Sequence, residues 1–248
     1  MAEFHIFESE EQLAQESAHF IAEQAKEAIE ARGRFSLSLA GGFTPLDTYR
    51  LLPHAFESKD VDWSRVYLFW SDERCIPVQA AEHHFRMAHA NFIDFVPIPE
   101  ENIKMIVCED DPKEIATVYE QILREYFEEE GEARFDLVLL GIGEQGEVAS
   151  IFPGSDVIQA EDRWVVAESI ESKGEWRLTL TPEAINAARS VAYIARGKRK
   201  SVPVSRSLAD EGDPDEWPAR AIDPQKGELH WFLDTTAALL MDDKVDAR

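Results

Sequence analysis

The sequence predicts an α/β protein in which a mostly parallel sheet is covered by helices on both faces. Three observations lead there. Strand-like and helix-like patterns alternate along the whole chain, which is the signature of that class. Short apolar runs of strand length, at 66–70 and 135–140, are followed by glycine or polar clusters. Helical stretches of longer period separate them, with no internal repeat or low-complexity linker between.

The elements read as follows. Ser9-Glu10-Glu11-Gln12 forms a capping box. Leu13, Ala14, Ser17, Ala18, Ile21, Ala22, Ala25, Ala28 and Ile29 then recur at helical spacing until Gly33. Residues 34–40 alternate as a strand broken by Gly41-Gly42, and Pro45 opens a short helix. After the strand at 66–70, residues 82–95 read as a helix, 104–108 as a strand, and 112–130 as an amphipathic helix ended by Gly131. Strands are expected at 164–167, 177–180, 191–195 and 229–233. Helices are expected at 182–189, 198–208 and 235–241, with a polar loop over 210–218.

The 248 residues, 44% hydrophobic, suffice for a core without metals or disulfides. One domain spanning 1–248 is the expectation. Cys75 and Cys108 form no CxxC pair and read as two reduced thiols of a cytosolic protein. The N-terminus shows no secretory pattern, and no apolar run is long enough to span a bilayer. A soluble cytoplasmic protein is expected. The net charge of -24 repels nucleic acid and anionic membranes, so neither is expected as a partner. An anionic ligand would need a concentrated local site of cations and backbone amides.

Ligands of open α/β sheets bind beyond the carboxyl ends of the strands. Three such ends carry unusual loops. In 40–45, Gly41 and Gly42 allow close backbone approach, Thr44 adds a hydroxyl, and the following helix N-terminus favours anions. The loop fits a phosphate site or an ordinary strand-to-helix turn. In 71–74, Asp72 could orient or deprotonate a hydroxyl or water, and Arg74 could pair with an anion. Without further information, a helix cap with a surface ion pair is the better account of this tetrapeptide. The third loop, 140–150, contains GxGxxG, but it falls past mid-chain, and Pro153-Gly154 interrupts the helix a dinucleotide site needs. It reads better as a glycine loop around Gly143 and Gly146 that holds Glu147 in the crevice. The alternative is a solvent-facing glutamate. Arg177, Lys198 and Lys200 are the basic candidates, although Arg177 could equally lie over the sheet. His83-His84 is not spaced as a metal pair, and His5, His19, His54 and His89 show no partners in the sequence, so no metal is expected.

In this order, the motifs resemble the 6-phosphogluconolactonase family and, more distantly, the glucosamine-6-phosphate deaminases. They comprise Gly41-Gly42-Phe43-Thr44-Pro45, Ser71 through Pro77, Phe135 through Gly143, Ala149 through Gly154, Arg177 through Thr181, Gly197 through Lys200, Pro218-Ala219 and Trp231 through Asp234. The resemblance implies a Rossmann-like three-layer sandwich. It implies hydrolysis of 6-phosphoglucono-δ-lactone, in the oxidative pentose phosphate pathway, without metal or organic cofactor. A monomer or weak homodimer is expected. By the same resemblance Gly41, Gly42, Thr44 and Lys200 hold the phosphate, and Asp72, Arg74 and Arg177 line the sugar pocket.

The chain departs from the family pattern in its third loop. Gln145 stands for an aspartate, Glu147 for the histidine that resemblance makes the general base, and Val148 for a threonine. Phe43 replaces a serine, and His83-His84 stands where the family has Ser-Asn. Three readings follow. Lactone hydrolysis survives, with a buried Glu147 of raised pKa, or His83 or His84, activating water. The chain is a sugar-phosphate-binding protein with an inactive loop. Or it is an isomerase or deaminase of a related phosphosugar, with Asp72 moving a proton.

Overall fold

The strands assemble into two sheets, one parallel and one antiparallel. The computed structural model describes residues 2–42, 44–129, 134–171 and 173–241. Gly131, expected to end a helix, and Phe43 lie outside the described residues.

The main sheet holds six parallel strands: β1 (Ala2–Phe7), β2 (Phe35–Leu39), β3 (Val66–Trp70), β5 (Leu137–Leu140), β8 (Ser190–Ala195) and β9 (Glu228–Asp234). Their order is β1-β9-β8-β5-β2-β3. The chain moves from β2 to β3 on one side and later places β5 on the other. The strand order therefore reverses at β2, and a crevice is expected there. β2, β5 and β8 are buried at every position, as strands covered on both faces should be.

The helices are α1 (Glu10–Arg32), α2 (Thr44–Leu51), α3 (His84–Asn91), α4 (Pro112–Glu129), α5 (Pro182–Asn186) and α6 (Ser201–Leu208). Ser9 caps α1 by accepting the Gln12 N–H, and Gly33 ends it at φ 80°. The residues that bury along α1 are those of the predicted stripe: Leu13, Ala14, Ser17, Ala18, Ile21, Ala22, Ala25 and Ala28. On α4 the Tyr119 hydroxyl accepts the Trp70 N–H at 2.9 Å and donates to the Lys104 carbonyl at 3.1 Å, fixing that helix on β3.

The parallel sheet is the expected one, and a second, smaller antiparallel sheet of β4 (Asp72–Arg74), β7 (Glu175–Leu180) and β6 (Val165–Ile170) stands beside it. Of residues 71–74, expected as a polar loop or surface cap, Asp72–Arg74 form β4, and Ser71, Asp72 and Glu73 are all buried. Their polar groups survive burial because each is paired. Ser71 N–H donates to Leu39 O at 2.9 Å, its carbonyl accepts Leu180 N–H at 2.8 Å, and its hydroxyl donates to Leu139 O at 3.2 Å. One serine thus ties β2, β5 and β7 together. The Glu73 carboxylate accepts the N–H groups of Arg74, His84 and Phe85 at 2.9 Å each, so it does cap α3, but from inside the protein.

Other expectations are corrected. Residues 104–108 are not a strand. The edge of β3 gains only an isolated bridge to Ile103 and one bond from Lys104 N–H. Residues 235–241 form turns, too short a run to repay helix nucleation. The 82–95 helix is confined to α3, followed by a 3-10 turn at Ile93–Phe95, and 198–208 begins as a 3-10 turn at Lys198–Lys200. Edge strand β1 went unpredicted. Cys75 and Cys108 are not free thiols: they form a disulfide, their Cα atoms 4.9 Å apart, which ties the end of β4 to the segment leading into α4. Among the described residues, no helix is long and apolar enough to cross a membrane.

Candidate functional site

A cavity of about 330 Å³ opens at the carboxyl ends of the parallel strands, beside the reversal at β2. Gly41, Gly42, Thr44, Asp72, Arg74, His84, Gly143, Glu147, Arg177 and Lys200 all line it. Ten residues singled out from the sequence therefore share one space, although they span positions 41 to 200. Gly146 does not line it. It sits in the supporting turn at φ 76°, where a Cβ would come within 2.7 Å of the Trp217 ring. Lys198 and Arg199 are exposed, and Arg199 reaches out to Glu144.

The first wall is the 40–45 turn and α2. The Tyr49 hydroxyl donates to Ala40 O at 2.9 Å, holding the turn against its own helix. Gly41 is required by close approach, since a Cβ there would lie 2.2 Å from the His84 ring. Gly42 adopts φ 87°, a left-handed conformation that glycine accepts freely.

The second wall comes from the antiparallel sheet. β4 and β7 pair in register, placing Arg74 opposite Arg177. Like charges directly opposite destabilise a sheet unless something neutralises them. Glu175 does so in part, accepting from Arg177 Nε at 2.7 Å. Arg177 is buried in the cavity wall and does not lie over the sheet surface. Asp72 is buried beside it. Its Oδ2 accepts the Ser150 hydroxyl at 2.6 Å, and its Oδ1 lies 3.5 Å from His84 Nδ1. Burial alone would raise the Asp72 pKa. His84 first, then Ser150 and Arg177, outweigh it and hold the carboxyl below its ordinary value.

His84 is the mirror case. Burial favours the neutral ring, but Asp72 and then Glu73 overcome it, and the imidazole pKa is raised to about 9. At neutral pH the ring carries a proton and cannot accept another. His83 is fully buried against Glu73, with Nδ1 2.8 Å from Oε2, and does not line the cavity. Neither histidine is placed as the imidazole base that the sequence left open.

The third wall is the glycine loop. Gly143 N–H donates to Glu147 O at 2.8 Å, and the Glu147 side chain folds back across Gly143 so closely that a Cβ would fall 1.7 Å from Cδ. Gln145 N–H donates to Glu147 Oε2 at 2.9 Å. Glu147 is half-buried and lines the cavity, so the solvent-facing alternative does not hold.

Lys173, in the turn between β6 and β7, also lines the cavity, with its amino group 4.7 Å from the Phe152 ring centroid. Sequence reasoning missed it. Its only signal was a basic residue four positions before Arg177. Burial lowers the pKa of both Lys173 and Lys200; Arg177 adds to the shift at Lys173, and Glu147 opposes it at both. The cavity therefore gathers Arg74, Lys173, Arg177, Lys200 and a protonated His84 against Asp72 and Glu147, inside a molecule of net charge -24. That is the local concentration of cations that an anionic ligand would need in so acidic a molecule.

The chain matches the family described as glucosamine-6-phosphate isomerases/6-phosphogluconolactonase over residues 8–231. It is 38% identical over 213 residues to a 6-phosphogluconolactonase of Synechocystis, covering 85% of this chain and 86% of that one. It is 33% identical over 259 residues to a probable 6-phosphogluconolactonase 2 of Oryza sativa subsp. indica, covering 98% and 91%. Among solved structures, 6-phosphogluconolactonase from Trypanosoma brucei superposes with a TM-score of 0.84 at 25% identity, covering 96% of this chain and 98% of that one. A monomeric glucosamine-6-phosphate deaminase shares the fold, with a TM-score of 0.80 at 22% identity, covering 96% and 99%. The chain belongs to the glucosamine-6-phosphate isomerase/6-phosphogluconolactonase family.

Proposed function

We propose that the protein hydrolyses 6-phosphoglucono-δ-lactone to 6-phosphogluconate, the lactone-opening step of the oxidative pentose phosphate pathway, with Glu147 as general base. The observation that carries this reading is a half-buried carboxylate facing a cavity otherwise rich in cations. Gly41, Gly42 and Thr44, with Lys200, hold the phosphate through backbone amides, hydroxyl and ammonium. Arg74 and Arg177 face the sugar ring and the charge that develops on it, and Asp72 orients its hydroxyls.

Glu147 takes a proton from water as the water oxygen bonds to the lactone carbonyl carbon. The resulting oxyanion is stabilised by the neighbouring cations. The bond from that carbon to the ring oxygen then breaks, and Glu147 returns the proton to the departing ring oxygen. No metal or organic cofactor enters these steps. The reading further takes the chain as one cytoplasmic domain, a monomer or weak homodimer.

Lactone opening followed by NMR tests the proposal against spontaneous hydrolysis of the same sample. Acceleration by the protein supports it. Tight 6-phosphogluconate binding without acceleration would make the chain a binding protein instead. Aldose–ketose exchange or ammonia release would make it an isomerase or deaminase.

A further inference from the structure

Strands β1 and β9 run parallel at the edge of the main sheet, pairing Glu3 with His230 and His5 with Phe232. Glu3 and His5 lie two residues apart on β1 and so share a sheet face. The pairing brings His230, distant in sequence, onto that face. His5 Nε2 lies 3.3 Å from His230 Nδ1, and Glu3 Oε2 lies 3.7 Å from the same His230 nitrogen. On the far side of that ring, His230 Nε2 stands 3.4 Å from Glu228 Oε2.

We propose that Glu3, His5 and His230 form a binding site for a divalent transition ion of the zinc class, separate from the sugar-phosphate cavity. Two imidazole nitrogens bound to one tetrahedral zinc at about 2.0–2.1 Å stand roughly 3.3–3.4 Å apart, the separation found here. The carboxylate behind His230 agrees with this. Donation from His230 Nε2–H to Glu228 leaves the Nδ1 lone pair facing His5, the carboxylate–histidine arrangement that orients metal-bound imidazoles. The rings are also held by packing. His5 stacks on Phe232 at 4.4 Å between centroids, and His230 meets Phe20 of α1 at 4.8 Å.

Access and charge agree as well. His230 is buried, whereas the Glu3 side chain is 65% exposed, so an ion can enter from solvent and a water can complete the tetrahedron. The acidic surface of the molecule attracts cations. Imidazole and carboxylate together suit zinc better than magnesium or calcium, which prefer oxygen alone. The carboxyl ends that frame the cavity are at the opposite end of these strands. An ion here would clip edge strand β1 to β9, and binding to the folded chain alone stabilises it.

The test uses the full chain stripped of metal by a chelator. Zinc is titrated by calorimetry near neutral pH, and cobalt is titrated as a spectroscopic probe of tetrahedral coordination. One equivalent should bind, cobalt should give the visible bands of a tetrahedral site, and zinc should raise the thermal midpoint. His5→Gln should abolish or weaken binding by at least about tenfold, and Glu228→Gln, which removes the carboxylate behind the His230 ring, by ~10–100-fold. Circular dichroism confirms that both variants are folded, and lactone opening should be unchanged in His5→Gln. A wild type that binds no zinc, the result expected of a plain His5–His230 hydrogen bond, overturns the proposal. So does binding that is unchanged in His5→Gln.

Discussion

The cavity presents two carboxylates in opposite circumstances. Asp72, on the antiparallel sheet, is buried and committed, with Ser150 bonded to one oxygen and His84 beside the other. Glu147, on the glycine loop, is half-buried and held by one backbone N–H. A carboxylate whose lone pairs are already engaged in a low-dielectric site stays ionised and orients its neighbours. Glu147 instead lines the cavity with a side chain that is not enclosed by the core. On the proposed mechanism, the departure from the family pattern at Glu147 is a change of base.

Glu147→Gln gives the largest expected effect. Losing general-base assistance should lower kcat by about 10²–10⁴-fold with little change in KM. Gly143→Ala should reproduce much of that loss by pushing the Glu147 side chain away. Steady-state kinetics by NMR or a coupled assay checks both. Should Asp72→Asn reduce kcat while Glu147→Gln does not, the two roles are reversed.

The Asp72–His84 pair makes a prediction about stability rather than rate. The folded His84 pKa, about 9, lies above its ordinary 6.5. Its contribution is therefore fully present below pH 6.5 and is lost as pH rises through about 9. The Asp72 pKa is depressed below 3.8, so its contribution is present above that value and is lost as pH falls through the folded pKa. Urea unfolding should show a plateau between the two, with an alkaline fall on the order of 3 kcal/mol. His84→Gln should remove the alkaline fall. An identical pH profile in that variant would show that the pair is not coupled to folding.

Lys200→Ala probes the cationic environment of Glu147. A charged hydrogen bond to phosphate is worth about 1.5–3 kcal/mol, so KM should rise about 10–100-fold while kcat changes little. The same loss falling on kcat alone would place Lys200 at the reacting carbonyl instead.

Much of this was legible because short-range rules operate where it lies. The α1 stripe, the Ser9 cap, the Gly33 stop and the glycine turns are local, and the cavity follows from strand ends gathered at a reversal of order. What escaped was set by pairing. Asp72 looked like a surface cap because nothing local announces that β4 pairs with a strand a hundred residues later. His5 gained a partner only through the register of β1 on β9. The disulfide depends on two segments meeting, which spacing along the chain cannot reveal. Lys173 sits in a hairpin turn that reaches the cavity only because β6 and β7 form a separate sheet.

Ser150→Ala should have the smallest effect, and it isolates the difference between the two carboxylates. The Ser150 hydroxyl donates to Asp72 at 2.6 Å, and its own oxygen accepts from Arg177 Nη1 at 3.4 Å. Removing it leaves Asp72 with one fewer donor in a buried place. The cost should be about 1.5 kcal/mol, a fall in Tm of about 3–6 °C for a chain of this length. Because Glu147 stands on another wall with its own donor, kcat should change by less than about threefold. If Tm holds while kcat collapses, the orientation of Asp72 belongs to the chemistry. The contrast between a committed carboxylate and a working one would then fail.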